Sequence, residues 1–457
     1  MLPPRLVRRL VLAPLVIVVA VAVAALSPLL ALLTVAFGLL GRARPGRMRG
    51  LRLLYFALIW LSAETASLLA CLGLWVASGF GGRLRTEPYQ ARHYAIMRWY
   101  LDLVYRTATG TFGMQVTVEE PEHTAAEQSS RLARPVIVLS RHAGPGDSFL
   151  LVRQLLSVYQ RRPRVVMKAA MQLDPGVDVV ANRVPNVFIQ RRRVGERVFV
   201  EQIERLARGL DHDGALVIFP EGGNWTPGRW QRGIRRLERQ GRRDLADRAR
   251  DMPNVLPPRA GGALSAIAAC PAADVIFVAH AGLDRLVSVG DIWRNLTVNQ
   301  VIRAKWWRVP APEVPRSAPH EAQVQWLYSW WERIDRWISD NRRLRGAVLW
   351  LDALLAEQTA KALDLAAQPL EPLGQGGEIQ LRGGPLLLPG GLLAQQVPFP
   401  VAQRRRGLVV LGPRGRVLLA PGLRYLLVEI THVRPGAHAL LDGRQARVHR
   451  LEPGDGL

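Results

Sequence analysis

The sequence predicts an α/β fold in which a mostly parallel sheet is flanked by helices, preceded by an N-terminal membrane-embedded helical hairpin. Two observations lead to this fold class. Short runs rich in β-branched residues alternate with helix-like stretches through the middle of the chain, as in sheets that are covered on both faces. Before them, two long apolar runs follow one another near the N-terminus.

The length and composition fit a catalytic domain that carries additional segments. The chain has 457 residues, of which 49% are hydrophobic, and this excludes a wholly disordered protein. Its two cysteines, Cys71 and Cys270, form no C-x-x-C pair, so we expect neither a disulfide framework nor a cysteine-based zinc site. The formal charge of +24 predicts an anionic partner, which the charge alone leaves open as lipid headgroups, acidic cofactors or nucleic acid.

Two apolar runs predict a membrane anchor over residues 1–86. The first, residues 10–40, contains no charge and would form a helix about 46 Å long, more than the roughly 30 Å hydrocarbon core of a bilayer. We therefore expect it to tilt, or to break at Ser27-Pro28. The second, residues 53–80, follows at once, which argues against a cleaved signal peptide.

Arginines flank both apolar runs on every side, so the positive-inside rule leaves two arrangements open. Either the hairpin dips into a single leaflet, or the first run alone spans the membrane. In both arrangements we expect the protein in the cell membrane with its active site on the cytoplasmic face. Glu64, within the second run, is expected to face the partner helix or the headgroups rather than to take part in chemistry.

Residues 87–345 are predicted to form the α/β domain. Six short runs are typical of strands: residues 114–120, 135–140, 164–168, 186–190, 215–220 and 274–280. Apolar residues at helical spacing predict helices over residues 91–106, 147–160, 195–210 and 321–342. A helical linker is expected over 346–373. The Gly/Pro-rich remainder, residues 374–457, is either a small β-hairpin unit or a poorly ordered tail.

Two segments rich in tryptophan and arginine stand out in this domain. Residues 224–260 predict a loop that enters a basic helix. Trp326, Trp330 and Trp337 lie close to one face of the helix predicted over 321–342. That stripe is either a membrane-interface face or a face packed on the domain, and we favour packing.

Polar residues that follow the predicted strands are the candidates for chemistry, because ligands of parallel sheets gather at the strand ends. Arg141 and His142 follow the strand at 135–140, and Asp147 comes five residues after the histidine. A carboxylate at this spacing can bond one imidazole nitrogen, which leaves the other nitrogen to accept a proton from an attacking hydroxyl. The pair therefore suggests general-base catalysis.

Two further strand ends carry glycines and charges. Glu221, Gly222 and Gly223 follow the fifth predicted strand, and the glycines allow a ligand to approach the backbone closely. Three arginines, residues 191–193, follow the fourth strand. One of them can clamp a phosphate through its bidentate guanidinium, and a solvated basic strand end is the alternative.

Taken in this order, the three elements resemble the glycerolipid acyltransferase family, which includes bacterial 1-acylglycerol-3-phosphate acyltransferases. The family carries an N-H-x-x-x-x-D block, a G-x-I-F-I-x-R block, an F-P-E-G-T-R block and a later apolar block with proline. The corresponding segments here are Arg141–Asp147, Pro185–Arg191, Phe219–Asn224 and, more loosely, Val275–His280. The resemblance covers about residues 90–345. The chain departs from it with Arg for Asn at 141, Pro for Gly at 185 and Gly-Asn for Thr-Arg at 223–224.

The resemblance implies a mechanism without a metal, a cofactor or a covalent enzyme intermediate. His142 is expected to act as general base on the acceptor hydroxyl, oriented by Asp147. The hydroxyl then attacks the thioester of acyl-CoA or acyl carrier protein, which is the co-substrate. Arg191 is expected to hold the acceptor phosphate, and Glu221 and Gly222 to shape the acceptor site.

The resemblance also draws attention to four positions near these blocks. Lys168 matches a basic position before the family's second block, and it is one of only three lysines in the chain. Asn224 replaces an arginine that the family associates with phosphate binding. Either Arg229 or Arg232 substitutes for it, or the acceptor is another lipid hydroxyl.

We therefore predict a membrane-bound acyltransferase that acylates the hydroxyl of a lysophospholipid, 1-acylglycerol-3-phosphate, in phospholipid synthesis. Its expected partners are membrane lipids, the lysophospholipid and the acyl donor. A different lipid acceptor, or a non-catalytic membrane-anchored protein that binds anionic lipid, is the alternative. No nucleic-acid partner is expected, because no helix-turn-helix, RNP-type or zinc-finger pattern occurs. A hydrolase is disfavoured because no G-x-S-x-G occurs near His142.

Overall fold

The computed structural model describes residues 2–40, 49–120, 134–189, 196–283 and 301–342, together with four short strands between residues 410 and 451. The chain forms two units, residues 1–366 and 367–457, and each is described by itself. The first unit holds the N-terminal helices and the α/β sheet, and the second holds a small antiparallel sheet.

Three long helices open the first unit. α1 begins with Arg5–Val7 and a π-helical turn, Arg8–Leu12, and continues as Ala13–Leu40. α2 spans Arg49–Ala77, and α3 spans Glu87–Phe112. Both α1 and α2 are long and apolar enough to cross a membrane, by length and composition.

α1 continues through Pro28, so the break expected at Ser27-Pro28 is wrong. Proline lacks the N–H that would bond the carbonyl of Ala24, four residues earlier in the helix. The Ser27 hydroxyl donates to that carbonyl at 2.7 Å and so satisfies it.

α2 lies antiparallel along α3. The rings of Phe56 and Phe112 are 5.4 Å apart near one end, and Tyr89 Oη donates to the carbonyl of Ala77 at 2.6 Å near the other. In the most apolar stretch of α2, 33% of the residues are buried inside the protein, against 0% in that of α1. α2 is therefore partly a core helix of the first unit.

Within the described residues, seven strands form the sheet of the first unit. They are β1 Gln115–Glu119, β2 Val136–Ser140, β3 Arg162–Lys168, β4 Val187–Ile189, β5 Gly214–Ile218, β6 Asp274–Ala281 and β7 Val301–Val309. Their order is β1-β7-β6-β2-β5-β3-β4. β6, β2, β5, β3 and β4 run parallel, whereas β7 pairs antiparallel with β6 and parallel with β1. The predicted mostly parallel sheet is thereby confirmed.

β7 is the strand that the sequence did not predict. Arg303, Lys305 and Arg308 interrupt its apolar residues, and the strand alternates only loosely between buried and open positions. Ile302 and Val309 are buried, at 1% and 5% exposed. The continuous apolar runs that mark the parallel strands are therefore missing here.

Helices cover both faces of the sheet. They are α4 Pro145–Arg153, extended by the π-helical turn Gln154–Val158, α5 Pro175–Ala181, α6 Glu196–Arg208, α7 Pro227–Arg239, α8 Arg243–Arg250, α9 Ala260–Ala269 and α10 over residues 320–342. The larger core combines α6 to α10 with one set of strand side chains, and a smaller core combines α4 with the other set. The basic helix predicted within 224–260 is thus divided into α7 and α8.

The tryptophan stripe of α10 packs on the larger core. Trp326, Trp330 and Trp337 are partly buried against it, and the rings of Trp330 and Phe277 stack with their centroids 4.5 Å apart. Trp331 on the same helix is fully buried. The packing interpretation is confirmed over the membrane-interface one.

A buried ion pair ties the start of α1 to the α/β domain. Arg8 Nε and Nη2 donate to Asp178 Oδ1 at 3.0 and 2.8 Å, and Nη2 also donates to Gln172 Oε1 at 2.7 Å. Arg8 is 7% exposed and Asp178 only 1%. Because Asp178 belongs to α5, the first turns of α1 are fixed to the domain.

Among its described residues, the second unit has four strands in an antiparallel sheet. These are β8 Val410–Leu411, β9 Val417–Leu419, β10 Tyr425–Glu429 and β11 Arg447–Leu451, in the order β11-β10-β9-β8. Of the two interpretations of the tail, the strands agree with a small β unit. The helical linker predicted over 346–373 lies outside the described residues.

Candidate active site

The predicted pair His142 and Asp147 comes together at the C-terminal end of β2. β2 is buried over its whole length, and the chain leaves it to start α4 at Pro145. Proline suits the first turn of a helix because that turn leaves its N–H groups unbonded. Each oxygen of Asp147 lies 3.0 Å from His142 Nδ1. Since a carboxylate only accepts, Nδ1 carries the proton and the Nε2 lone pair is left to act as a base.

Asp147 is held as a carboxylate by its own loop. The amides of Ala143 and Gly144 donate to Oδ2 at 2.6 and 3.1 Å. Burial by itself would raise the pKa of Asp147, but the hydrogen bonds from His142 and His280 hold that pKa well below its ordinary range. Asp147 therefore stays ionised at neutral pH and keeps the His142 tautomer fixed.

The ring of His142 opens onto a cavity of about 560 Å³. Most of the wall is apolar and includes Met97 and Leu101 of α3. The cavity extends to α2, where Glu64 and Ser67 contribute to its wall. An apolar cavity beside a general base has the chemistry to hold an aliphatic substrate during proton transfer.

Two cationic side chains, those of Lys168 and Arg229, lie beside the glycine loop after β5. Gly222 and Gly223 line the cavity, as does Lys168 at the end of β3. A Cβ atom placed on Gly223 would lie 3.5 Å from both Lys168 Nζ and Arg229 Nη1. Arg229 Nη1 also donates to the carbonyl of Asn224 at 3.0 Å. This pairing of an ammonium with a guanidinium is suited to a phosphate.

The remaining predicted arginines differ in position. Arg191 lies outside the described residues, so its phosphate contact stays a prediction. Arg232 lies about one turn beyond Arg229 on α7, and its Nη1 is 3.8 Å from a Cβ placed on Gly228. Of the two arginines expected to replace the family's arginine, Arg229 is therefore the one beside Gly223.

Residues 115–279 match the protein-family model described as Acyltransferase. This segment is an acyltransferase domain. It belongs to the glycerolipid acyltransferase family that the H-x-x-x-x-D motif predicted, and it supports lipid acyl transfer as the chemistry. No curated protein matches the chain.

Glu221 of the acyltransferase domain lies behind the cavity. It is 3% exposed, and the wall at this point is formed by Phe219, Pro220 and Gly222. The structure therefore brings Gly222 into the cavity wall and does not place the Glu221 carboxyl there. Any effect of Glu221 on the acceptor site is therefore indirect.

We expect Glu221→Gln to change how stability depends on pH. Burial raises the pKa of Glu221 from 4.5 to about 8, although the charge of Arg141 and the amides of Leu256 and His142 oppose the shift. Between these two values the folded state holds a proton that the unfolded state has lost, so the free energy of unfolding falls as the pH rises from about 4.5 to about 8. Urea unfolding at several pH values between 5 and 9 measures this slope in both proteins.

The glutamine variant keeps the size of the side chain and cannot ionise, so its slope over this range should be flatter. The other titrating groups contribute equally to the pH dependence of both proteins, so their contributions cancel in the comparison. Parallel curves for wild type and Glu221→Gln would mean that Glu221 is ionised in the folded acyltransferase domain.

Three residues of this region had not been recognised from the sequence as part of the site. Glu64 accepts a hydrogen bond from the Gly176 amide at 2.6 Å and lines the cavity, so the expectation that it faces the partner helix or the headgroups is wrong. Arg259 lines the cavity from a proline-rich stretch that carried no strand signal. His280 contacts Asp147 from β6, although the sequence marks it only as the end of a strand.

Proposed function

We propose that this chain is a membrane-bound O-acyltransferase of phospholipid synthesis. It transfers a fatty acyl group from acyl-CoA or acyl carrier protein to the hydroxyl of a lysophospholipid, 1-acylglycerol-3-phosphate. The observation that carries the proposal is the His142 imidazole, which is bonded to Asp147 on one side and lines an apolar cavity on the other.

In the proposed reaction, the acceptor hydroxyl gives its proton to His142 Nε2 while its oxygen attacks the thioester carbonyl carbon. The tetrahedral intermediate then collapses, the C–S bond breaks, and the departing thiolate takes the proton from the imidazolium. The products are an oxygen ester and a free thiol. Asp147 stabilises the imidazolium that exists between these two proton transfers and holds the ring in place.

The cavity supports a fatty acyl substrate. Burial of one methylene group in apolar surroundings contributes about 0.8 kcal/mol to the binding free energy. An apolar wall therefore favours an alkyl chain over a polar substrate. Met97, Leu101 and Val180 provide such a wall on the side of α3 and α5. A chain bound there lies next to the His142 ring, as acyl transfer requires.

Exposed apolar residues on α1 support membrane association. Nine of them are each more than half exposed: Leu6, Leu10, Val11, Leu15, Val18, Val21, Leu26, Leu29 and Leu32. A continuous apolar surface of this kind is unfavourable in water and favourable in a bilayer. We infer that membrane lipids cover this side of α1 and that the acyltransferase domain lies at the cytoplasmic face.

The contact between α2 and α3 argues against α2 as a membrane-spanning helix, which agrees with both arrangements left open by the sequence. α3 carries Arg92, Arg98, Asp102 and Arg106. The transfer of such charges into the hydrocarbon core has an unfavourable free energy. α2 lies along α3, and α1 packs against α2. A helix fixed along a charged neighbour is poorly placed to cross the bilayer.

The experiment that tests the function is an acyl-transfer assay on membranes that contain the protein. Labelled acyl-CoA and labelled acyl carrier protein are each offered with a panel of lysophospholipids, to wild type and to His142→Ala. Transfer to 1-acylglycerol-3-phosphate that is lost in the variant supports the proposal. Transfer to another lysolipid keeps the chemistry and changes the acceptor, in line with Asn224 at the family's arginine position. An absence of His142-dependent transfer from either donor overturns the proposal in favour of anionic-lipid binding.

We expect Arg229→Gln to weaken the use of a phosphate-bearing acceptor. Arg229 lies with Lys168 beside Gly223, so its loss removes one of two cations from the proposed phosphate site. A charge-assisted hydrogen bond contributes about 1.5–3 kcal/mol, which corresponds to a rise in KM of about 10- to 150-fold. Steady-state kinetics with 1-acylglycerol-3-phosphate measures this rise.

Arg232→Gln is the matched control, because it removes the same charge one turn further along α7. Its KM for the acceptor should stay within about twofold of wild type. Equal effects of the two substitutions would indicate general attraction of an anionic substrate rather than a phosphate site at Gly223.

A further inference from the structure

A second histidine contacts the catalytic carboxylate. His280 lies near the end of β6 and is 5% exposed. Its Nε2 is 3.4 Å from Asp147 Oδ2 and 3.2 Å from the carbonyl oxygen of Arg141. Asp147 is thus placed between two imidazoles, that of His142 in its own loop and that of His280 on a neighbouring strand.

The chemistry of these contacts identifies the proton on His280. The Arg141 carbonyl and the Asp147 carboxylate are both acceptors, so Nε2 carries the hydrogen. It donates to the Arg141 carbonyl and faces Asp147 Oδ2 at 3.4 Å. The other ring nitrogen, Nδ1, is buried and has no hydrogen-bond partner within the described part of the chain. His280 therefore faces Asp147 as a donor.

The two histidines face different cavities. His142 lines the cavity that holds Lys168 and the glycine loop, whereas His280 lines a second cavity of about 400 Å³ between α4 and the sheet. Asp147 belongs to the wall of that second cavity and not to the wall of the first. A substrate at His142 is consequently out of reach of His280, which acts on the reaction only through Asp147.

His280 is itself locked in place by Arg141. Arg141 is 0% exposed, and its Nη1 donates to the His280 carbonyl at 2.8 Å while its Nη2 donates to the carbonyl of Asn254 at 3.1 Å. The two residues thus bond to each other in both directions. The His280 ring donates to the Arg141 carbonyl, and the Arg141 guanidinium donates to the His280 carbonyl. Arg141 is the residue that stands where the family block has asparagine.

We propose that His280, held by Arg141, is a positioning residue that fixes the Asp147 carboxylate against the back of His142. Its N–H faces Oδ2 at 3.4 Å, and the attraction between this N–H and the carboxylate opposes rotation of the carboxylate as the imidazolium forms and disappears. This inference rests on the proposed acyl transfer. In this inference Arg141, which stands at the family's asparagine position, holds His280, and His280 in turn positions Asp147.

The test compares His280→Gln with His280→Met in the acyl-transfer assay. Glutamine places an N–H donor near the position of the imidazole Nε2, and methionine fills a similar volume without a donor. Loss of a donor that interacts with a charged group corresponds to about a 10- to 100-fold change in rate, so kcat of His280→Met should fall by that factor. Its KM values should stay within about twofold, because no substrate contact is lost. His280→Gln should recover most of kcat.

His93→Met is the matched control. His93 is also a fully buried histidine, and its Nδ1 donates to the Tyr89 carbonyl within α3, but it lines neither cavity. Thermal unfolding of the variants separates loss of stability from loss of turnover. We expect His93→Met to lower Tm without a selective loss of kcat.

Three results would overturn the inference. The first is a His280→Met variant with the kcat of wild type. The second is a His280→Gln variant as slow as His280→Met although both unfold at the temperature of wild type. The third is a loss in His93→Met equal to that in His280→Met. If wild type itself transfers no acyl group from either donor, the proposed function fails instead, and the two failures are thereby distinguished.

Discussion

Replacing His142 by alanine is expected to reduce acyl transfer by about 10²- to 10⁴-fold, the usual contribution of a general base. Without the imidazole, the acceptor hydroxyl must attack while it still carries its proton. Asp147 cannot replace the base, because it lies outside the wall of the cavity and its Oδ2 is already bonded by the amides of Ala143 and Gly144. Initial rates with a saturating acyl donor measure the loss.

His212→Ala is the matched control for this substitution, because His212 is exposed and lies outside the cavity wall. It should retain the activity of wild type. The His142→Ala protein should still sediment with membranes, since α1 and α2 are untouched. A variant that lacks His142 and turns over like wild type would contradict the mechanism, whatever the identity of the acceptor.

Asp178→Ala is expected to have the largest effect on stability. It leaves the guanidinium of Arg8 buried without its carboxylate, and breaking one side of a buried ion pair lowers the free energy of unfolding by about 3–5 kcal/mol. The same change releases the first turns of α1 from α5. Thermal unfolding in detergent, together with limited proteolysis near the N-terminus, measures both consequences.

Glu204→Ala provides the comparison for Asp178→Ala. Glu204 pairs with Arg208 at 2.7 Å on the outer side of α6, where both side chains contact solvent. Removal of such a pair changes the free energy of unfolding by less than about 1 kcal/mol. If the two substitutions destabilise the protein equally, or if Asp178→Ala has no effect, then Arg8 is not anchored at α5.

The sequence predicted the parallel strands because a strand covered on both faces must be apolar throughout. β2 and β5 show this clearly, since every residue of both is buried. β7 has no such signature, and its insertion between β1 and β6 depends on pairings that no local pattern encodes. The division of the basic segment into α7 and α8 likewise depends on packing against α10 and the larger core.

In the candidate site too, contacts between residues close in the sequence could be predicted, whereas contacts between residues far apart in the sequence could not. His142 and Asp147 lie within one loop and the first turn of α4, so their spacing predicts their contact. Glu64 and Gly176 are 112 residues apart, and Arg141 and His280 are 139 apart. Such contacts follow from the order of strands and helices, which becomes known only once the chain is folded.

The share of the cavity wall supplied by α2 has a practical consequence. A shortened protein that starts at residue 87 would lose both apolar helices and dissolve more readily. It would also lose Glu64 and Ser67, and Met97 and Leu101 would then face solvent where a wall had been. Solubility gained by truncation would therefore come with an opened binding site, and inhibitors selected on such a fragment would meet a different pocket in the intact protein.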